Sequence, residues 1–312
     1  MGFGGLGDRA FPAASRPDRR NDHLSGDQSP PMGLENASGT FDIGGDLTVH
    51  RLGFGAMRIT GDDIIGEPDD VENAKKVLHE SLVHGVDLID TADSYGPAVS
   101  ERLIGEALAP YPDDLVVATK GGLLRNTDGD WKPNGDPDYL RNAVLGSLDR
   151  LRVDTIDLYQ LHRPDPHVPF EDSVHALAEM KDEGLIRHVG LSNVSVEQLD
   201  EARDIVDIAT VQNRFNIGDR EFEASLDACE EYGIGFIPWY PLGAGDLGDR
   251  ADAVSAVAAK HDATPQQIAL AWLLHRSDVM LPIPGTSSVS HLRDNVAASH
   301  IDLDDEDMDR LA

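Results

Sequence analysis

Three stretches decide the fold: VDLIDTADSYG at 86–96, LVVATKGG at 115–122 and IDLYQLHRPD at 156–165. Each is a short run rich in Val, Ile and Leu that breaks off at polar residues: Asp90 with Tyr95 five places on, then Lys120, then His162. A parallel strand covered on both faces reads as such an apolar run, and a barrel of these strands carries its reactive groups where the strands end. Similar runs near 51–57, 187–191, 209–213, 234–239 and 279–283 bring the expected strands to eight.

Amphipathic stretches separate the runs, among them DVENAKKVLHESLVHG at 70–85 and FEDSVHALAEMKDEG at 170–184. Gly85, Gly184 and Gly233 stand where helices would end, and Thr264-Pro265 reads as an N-cap followed by a first-turn proline. Strand-helix alternation repeated eight times predicts an α/β protein of the closed (β/α)8 TIM-barrel type, with a β-hairpin inside GTFDIGGDLTVHRLGFGAM at 39–57. A doubly wound sheet is the alternative, and it is disfavoured because no phosphate loop follows the first strand. Residues 1–38, rich in Gly, Pro, Ser, Asp and Arg without periodicity, read as a disordered extension ahead of a single domain at 39–312. Gly2, Gly4 and Gly7 match G-x-G-x-x-G there, but without a strand before them or a helix after.

Lys and Arg total 26 against 57 Asp and Glu, a formal charge of −31. Nucleic acid and anionic membranes are therefore not expected partners. The acid is dispersed along the whole chain and resembles the surfaces of proteins from extreme halophiles. No apolar run approaches a membrane-spanning length and no secretory leader is evident, so a cytoplasmic protein is expected. Cys229, the single cysteine, lies in an amphipathic helical stretch and reads as a buried structural thiol. His162 and His167 flank RPDP without a third ligand nearby, so no metal site is expected.

Tyr, Lys, Asp and His gathered on one rim can deliver a proton to a carbonyl oxygen. A phenol near pKa 10 is a poor acid at neutral pH, and a Lys120 cation beside Tyr95 is expected to lower that value by roughly one to three units. Asp90 would hold Lys120 charged and aimed, and His162 would orient the proton donor or the substrate oxygen. Three further strand ends carry Ser192-Asn193, Gln212 and Trp239. Their hydroxyl and amide groups can meet a planar carboxamide and the indole can stack on a flat ring, which describes a nicotinamide seat.

These segments, with GLIRHVGLSNVS, VQNRFN, IPWYPLG and LPIPGTSSVSHLRDN, resemble the aldo-keto reductase superfamily over about residues 40–310, and most of all its bacterial pyridoxal reductase branch. The resemblance implies an oxidoreductase with NADPH, or NADH, laid across the C-terminal ends of the strands. Tyr95 would be the general acid with Asp90, Lys120 and His162 around it. Ser192, Asn193 and Gln212 would bind the carboxamide, under a stacked Trp239. Gly285, Thr286, Ser287 and Ser288 open onto a helix with Arg293, Asp294 and Asn295 and would take an adenosine 2′-phosphate and the adenine, although many relatives place a Lys or Arg where this chain has Gly and Ser. The expected substrate is a small carbonyl compound, pyridoxal or another aromatic aldehyde, stacked near Trp239 or Trp131 with Arg58 or Asp93 meeting its hydroxyls. The alternative is a non-catalytic nicotinamide-sensing subunit of the same fold.

Overall fold

The computed structural model describes residues 35–126, 128–243 and 248–312. The G-x-G-x-x-G match lies outside them, as does the expected extension up to residue 34. Residues 36–38, assigned to that extension by composition, are anchored instead. Asn36 and Ser38 are buried, Asn36 Nδ2 donates to the Leu52 carbonyl at 2.8 Å, and Arg51 Nε donates to the Ser38 carbonyl at 2.8 Å. Short polar side chains that satisfy backbone groups hold these residues where hydrophobicity does not.

The hairpin comes first, β1 (Thr40–Ile43) antiparallel to β2 (Leu47–His50). Its turn needs glycine: Gly44 lies at φ +62°, and a Cβ there would stand 2.2 Å from the His188 ring. Ile43, Leu47 and Val49 form one cluster with Leu88, Val116, Leu158 and Ile237 from the strands, so the hairpin plugs one end of the barrel interior.

Seven parallel strands follow: β3 (Phe54–Gly55), β4 (Leu88–Asp90), β5 (Val116–Gly121), β8 (Ile156–Leu161), β9 (Ile186–Ser192), β10 (Ile208–Arg214) and β11 (Gly235–Trp239). They neighbour one another in chain order, as successive right-handed crossovers produce. The eighth stave, expected at 279–283, makes ladder bonds on both sides without forming a regular strand. Leu281 N–H donates to Phe236 O at 2.8 Å, while Pro282 O accepts from Gly53 N–H at 2.9 Å and Pro284 O from Gly55 N–H at 3.5 Å. Two prolines in LPIPG have no N–H to give, so the chain closes the barrel but leaves the regular ladder.

Helices α1 (Val71–Val83), α2 (Val99–Leu108), α3 (Pro137–Leu151), α4 (Phe170–Asp182), α5 (Val196–Arg203) and α6 (Glu223–Tyr232) each follow a strand. Then α7 (Ala251–Lys260), α8 (Pro265–Arg276), α9 (Val289–Ala297) and α10 (Asp305–Leu311) complete the chain. The Thr264 N-cap is present with a reciprocal Gln267 bond. Cys229 is fully buried, and burial pushes its thiol up to about 12, which leaves it inert. A second hairpin lies between β5 and α3: β6 (Leu123–Arg125) pairs with β7 (Trp131–Pro133).

Candidate active site

Strand-end geometry brings Asp90, Tyr95, Lys120 and His162 together. Asp90 ends β4, Lys120 lies one residue before the end of β5, and His162 follows β8; Tyr95 sits in the turn between β4 and α2, where its N–H donates to Ala92 O. Lys120 is wholly buried, and its Nζ donates to Asp90 Oδ1 at 2.6 Å, to Thr91 O at 2.8 Å and to the Tyr95 hydroxyl at 3.4 Å. A buried ammonium requires this saturation, since each unpaired donor would forfeit its hydration. Burial works against the Lys120 cation, but the Asp90 and Tyr95 oxygens outweigh it and raise its pKa.

Tyr95 departs from the expectation. Burial pushes its phenol above the ordinary value of 10, more than the Lys120 cation lowers it, and the Asp90 charge adds to the rise. The phenol is thus held protonated, not poised near neutrality. His162 is driven the other way: burial first, then Lys120 and Arg163, hold its imidazole well below the usual histidine range, so it is neutral at pH 7. Its Nδ1 lies 3.3 Å from Ser94 Oγ, and its ring packs edge-on to Tyr95 with centroids 5.8 Å apart.

Asp90 accepts two further bonds that sequence reasoning missed. Gln160 Nε2 donates to Oδ2 at 3.2 Å and Gln212 Nε2 at 2.9 Å, while Thr210 Oγ1 donates to Gln160 Oε1 at 3.3 Å. Gln160 stands two residues before His162 on β8, so strand periodicity puts both on the inner face, a signal the sequence did contain. Gln212 has spent its amide N–H on Asp90 and keeps its Oε1 as an acceptor.

Tyr95, His162, Ser192, Gln212 and Trp239 line one cavity of about 570 Å³ that extends to Gly285. Arg58, Trp131 and Asn193 also line it, and the β6–β7 hairpin sets the Trp131 ring 6.4 Å from that of His162. Asp93 does not reach the cavity. The turn sends its carboxyl outward, where Oδ2 accepts from Tyr139 OH at 3.3 Å. Its Oδ1 is buried without a partner among the described residues, and burial, reinforced by the Glu101 charge, pushes the carboxyl up to about 7.

The sequence profile of the Aldo/keto reductase family matches residues 51–312. The chain belongs to that family. It is 51% identical over 269 residues to an uncharacterized oxidoreductase of Schizosaccharomyces pombe, covering 86% of this chain and 87% of that one. It is 46% identical over 281 residues to pyridoxine 4-dehydrogenase of Escherichia coli, covering 88% of this chain and 98% of that one. Among solved structures it is similar, at 26% identity and a TM-score of 0.75, to an aldo/keto reductase of Klebsiella pneumoniae in complex with NADP and acetate, over 89% of this chain and 94% of that one. This chain is an oxidoreductase of the aldo/keto reductase kind, and carbonyl reduction is its reaction class.

Within this reductase two residues expected to contact the cofactor also hold bonds within the protein. Asn193, at the left-handed φ of 59° that asparagine tolerates, donates from Nδ2 to His162 O and Ser192 Oγ, both at 3.0 Å, and accepts the Trp239 indole N–H on Oδ1 at 3.2 Å. Both amide hydrogens are engaged, so it fixes Trp239, while Oδ1 keeps a second lone pair that faces a cavity Asn193 itself lines. Arg293 reaches back to α1, donating to His84 Nε2 at 3.3 Å and Glu80 Oε2 at 3.2 Å, away from the turn before α9. In that turn Thr286 Oγ1 accepts from Ser288 N–H at 3.0 Å, the Ser287 carbonyl accepts from Asn73 Nδ2 at 2.7 Å, and Ser288 caps α9. Asp294 is exposed, with its carbonyl taken by Gln267, and Asn295 is buried.

Proposed function

We propose that this protein reduces aldehydes and ketones to alcohols with NADPH, Tyr95 giving the proton, and that pyridoxal or another aromatic aldehyde is its substrate. The observation that carries the reading is the unbroken chain of donors from Lys120 to the Tyr95 hydroxyl at the wall of the cavity, anchored on Asp90 at 2.6 Å.

The residues present fit a nicotinamide. The Ser192 hydroxyl accepts from Asn193, which leaves its own hydrogen to donate, and Gln212 Oε1 accepts from no donor among the described residues. One donor and one acceptor side by side complement the oxygen and nitrogen of a carboxamide, and Trp239, pinned by Asn193, offers an indole face. The turn at Gly285–Ser288 is the reading's place for the adenosine phosphate, with Asn295 for the adenine. Bound NADPH would supply a hydride to the carbonyl carbon.

The protein's own residues handle the proton. Tyr95, protonated at neutral pH, donates its hydroxyl hydrogen to the carbonyl oxygen, and the phenolate left behind faces the Lys120 ammonium, which stabilises that charge. If the Ser94 hydroxyl donates to His162 Nδ1, the neutral imidazole carries its hydrogen on Nε2 and donates it to the same oxygen. Asp90, saturated by three donors, keeps the ammonium from turning away. The 46% identity to pyridoxine 4-dehydrogenase supports the choice of pyridoxal.

The test is Tyr95→Phe. It should lower kcat by about 10²–10⁴-fold while NADPH affinity, read by fluorescence titration, stays within about twofold. Activity near wild type would overturn the assignment. For the substrate, kcat/KM for pyridoxal should exceed that for benzaldehyde at least tenfold; equal values would leave only the reaction class.

A further inference from the structure

The wall of the active-site cavity has a charge opposite to that of the molecule. The chain carries −31 formally, yet the charged side chains on the described wall are Asp90, Arg58 and Arg163. Lys120 neutralises Asp90, so the two guanidiniums set the sign. Neither makes a hydrogen bond or an ion pair within the described residues. Many other arginines are shared among the abundant carboxylates: Arg276 reaches Glu223, Asp227 and Glu230, and Arg141 reaches Glu179 and Glu183. An arginine without a carboxylate among the described residues has its planar fork of donors available for a ligand.

Arg163 directly follows His162 and is close enough to act on its imidazole, which puts it beside the group that meets the carbonyl oxygen. Arg58 comes from the turn after β3, and its stem packs near Gly285, 3.6 Å from where a Cβ there would stand. The same wall carries apolar surface from Met57, Ile64, Leu123 and Trp131. Both arginines are exposed, so a charge contact with them is strongest at low ionic strength.

Building on the carbonyl-reductase reading, we propose that Arg163, with Arg58 completing the field, forms an anion subsite that selects aldehydes bearing a carboxylate or phosphate group. Arg163 meets the anion of the substrate, and Arg58 draws anions into the cavity against the field of the surface.

Three aldehydes of one shape separate charge from fit: benzaldehyde, 4-carboxybenzaldehyde and the methyl ester of the latter, each with NADPH in 0.1 M KCl. Pyridoxal and pyridoxal 5′-phosphate form the phosphate arm. The expected result is a kcat/KM for 4-carboxybenzaldehyde about tenfold or more above its methyl ester, a preference that Arg163→Gln reduces at least fivefold and that 2 M KCl weakens. A larger gain for pyridoxal 5′-phosphate over pyridoxal would identify phosphate as the preferred anion. A carboxylate-to-ester ratio near one in wild type, or a ratio unaltered in Arg163→Gln, would overturn the subsite. Tryptophan fluorescence titration with 4-carboxybenzaldehyde in the absence of cofactor reads the subsite without turnover. Affinity that is lost in Arg163→Gln, in a protein that reduces none of these aldehydes, would sustain the subsite and remove the reductase reading. If Arg58→Gln raises KM for NADPH and leaves the carboxylate preference unchanged, Arg58 has no part in the substrate subsite and that half of the proposal falls.

Discussion

Gln212 donates its side-chain amide to Asp90 Oδ2 at 2.9 Å, across the barrel from the Lys120 ammonium on Oδ1. In the proposed mechanism, one carboxylate thereby joins the residue offered to the nicotinamide amide to the residue that steadies the proton donor. Gln212→Leu should therefore injure two steps together. Loss of one neutral acceptor and one charge-assisted bond, each worth about 1–2 kcal/mol, should raise KM for NADPH and lower kcat by about tenfold each. Ser192→Ala should move KM alone. Steady-state kinetics on both variants checks this, and an unchanged kcat in Gln212→Leu would show the link to Asp90 to be without effect.

Asp93 gives a pH signature in stability. Its folded pKa, about 7, lies above the ordinary carboxylate value of 3.8, so its contribution is fully present below the unfolded pKa and is lost as pH rises through 7. Asp93→Asn should cost little at pH 8.5 relative to wild type and should compare less well at pH 5.5, with the difference in Tm moving in favour of the variant by several degrees between the two. Thermal melts at both pH values decide it; a constant difference would mean that Asp93 does not titrate across this range.

Salt should stabilise the molecule. Few cations serve many carboxylates: Lys260 bridges Asp304 and Asp307, and Arg102 bridges Glu67 and Glu106. The remaining acids repel one another until screened, and the Debye length falls to about 3 Å in 1 M salt. Tm should rise by several degrees from 0.05 M to 2 M KCl, and a fall would show that screening costs more in ion pairs than it relieves in repulsion.

What the sequence made legible follows from what sequence can encode. The apolar runs at 86–90, 115–120 and 156–161 determine where their terminal residues go, because a parallel strand leaves the chain little choice, and Asp90, Lys120 and His162 meet as expected. Tyr95 meets them because the turn after β4 is short. Asp93, in the same turn, points elsewhere, since its backbone N–H is taken by Lys120 O and its carboxyl by Tyr139, a partner 46 residues away that local reading cannot supply. Asn193 stands at the expected strand end, and its bonds to His162 and Trp239, 31 and 46 residues away, are ones local reading cannot supply. The direction of the Tyr95 shift was misread because a charge partner can be named from sequence, whereas the burial that outweighs it cannot.

The prolines of LPIPG give the barrel a clasp. Where β3 meets the eighth stave, the bonds found are Gly53 to Pro282 and Gly55 to Pro284, and a proline nitrogen can return none. Opening there breaks two bonds, as does opening the stave's other joint with β11, where Phe236 bonds Val279 and Leu281, so this joint is one of two weak links in an otherwise continuous hoop. Gly55 and Gly285, on its two sides, both line the active-site cavity. A molecule seated against both spans the clasp and holds it shut. Occupancy of the cavity and integrity of the hoop are then one mechanical property, and the amides of Gly53 and Gly55 are the place to read it, exchanging with solvent soonest when the cavity is empty and slowest when it is filled.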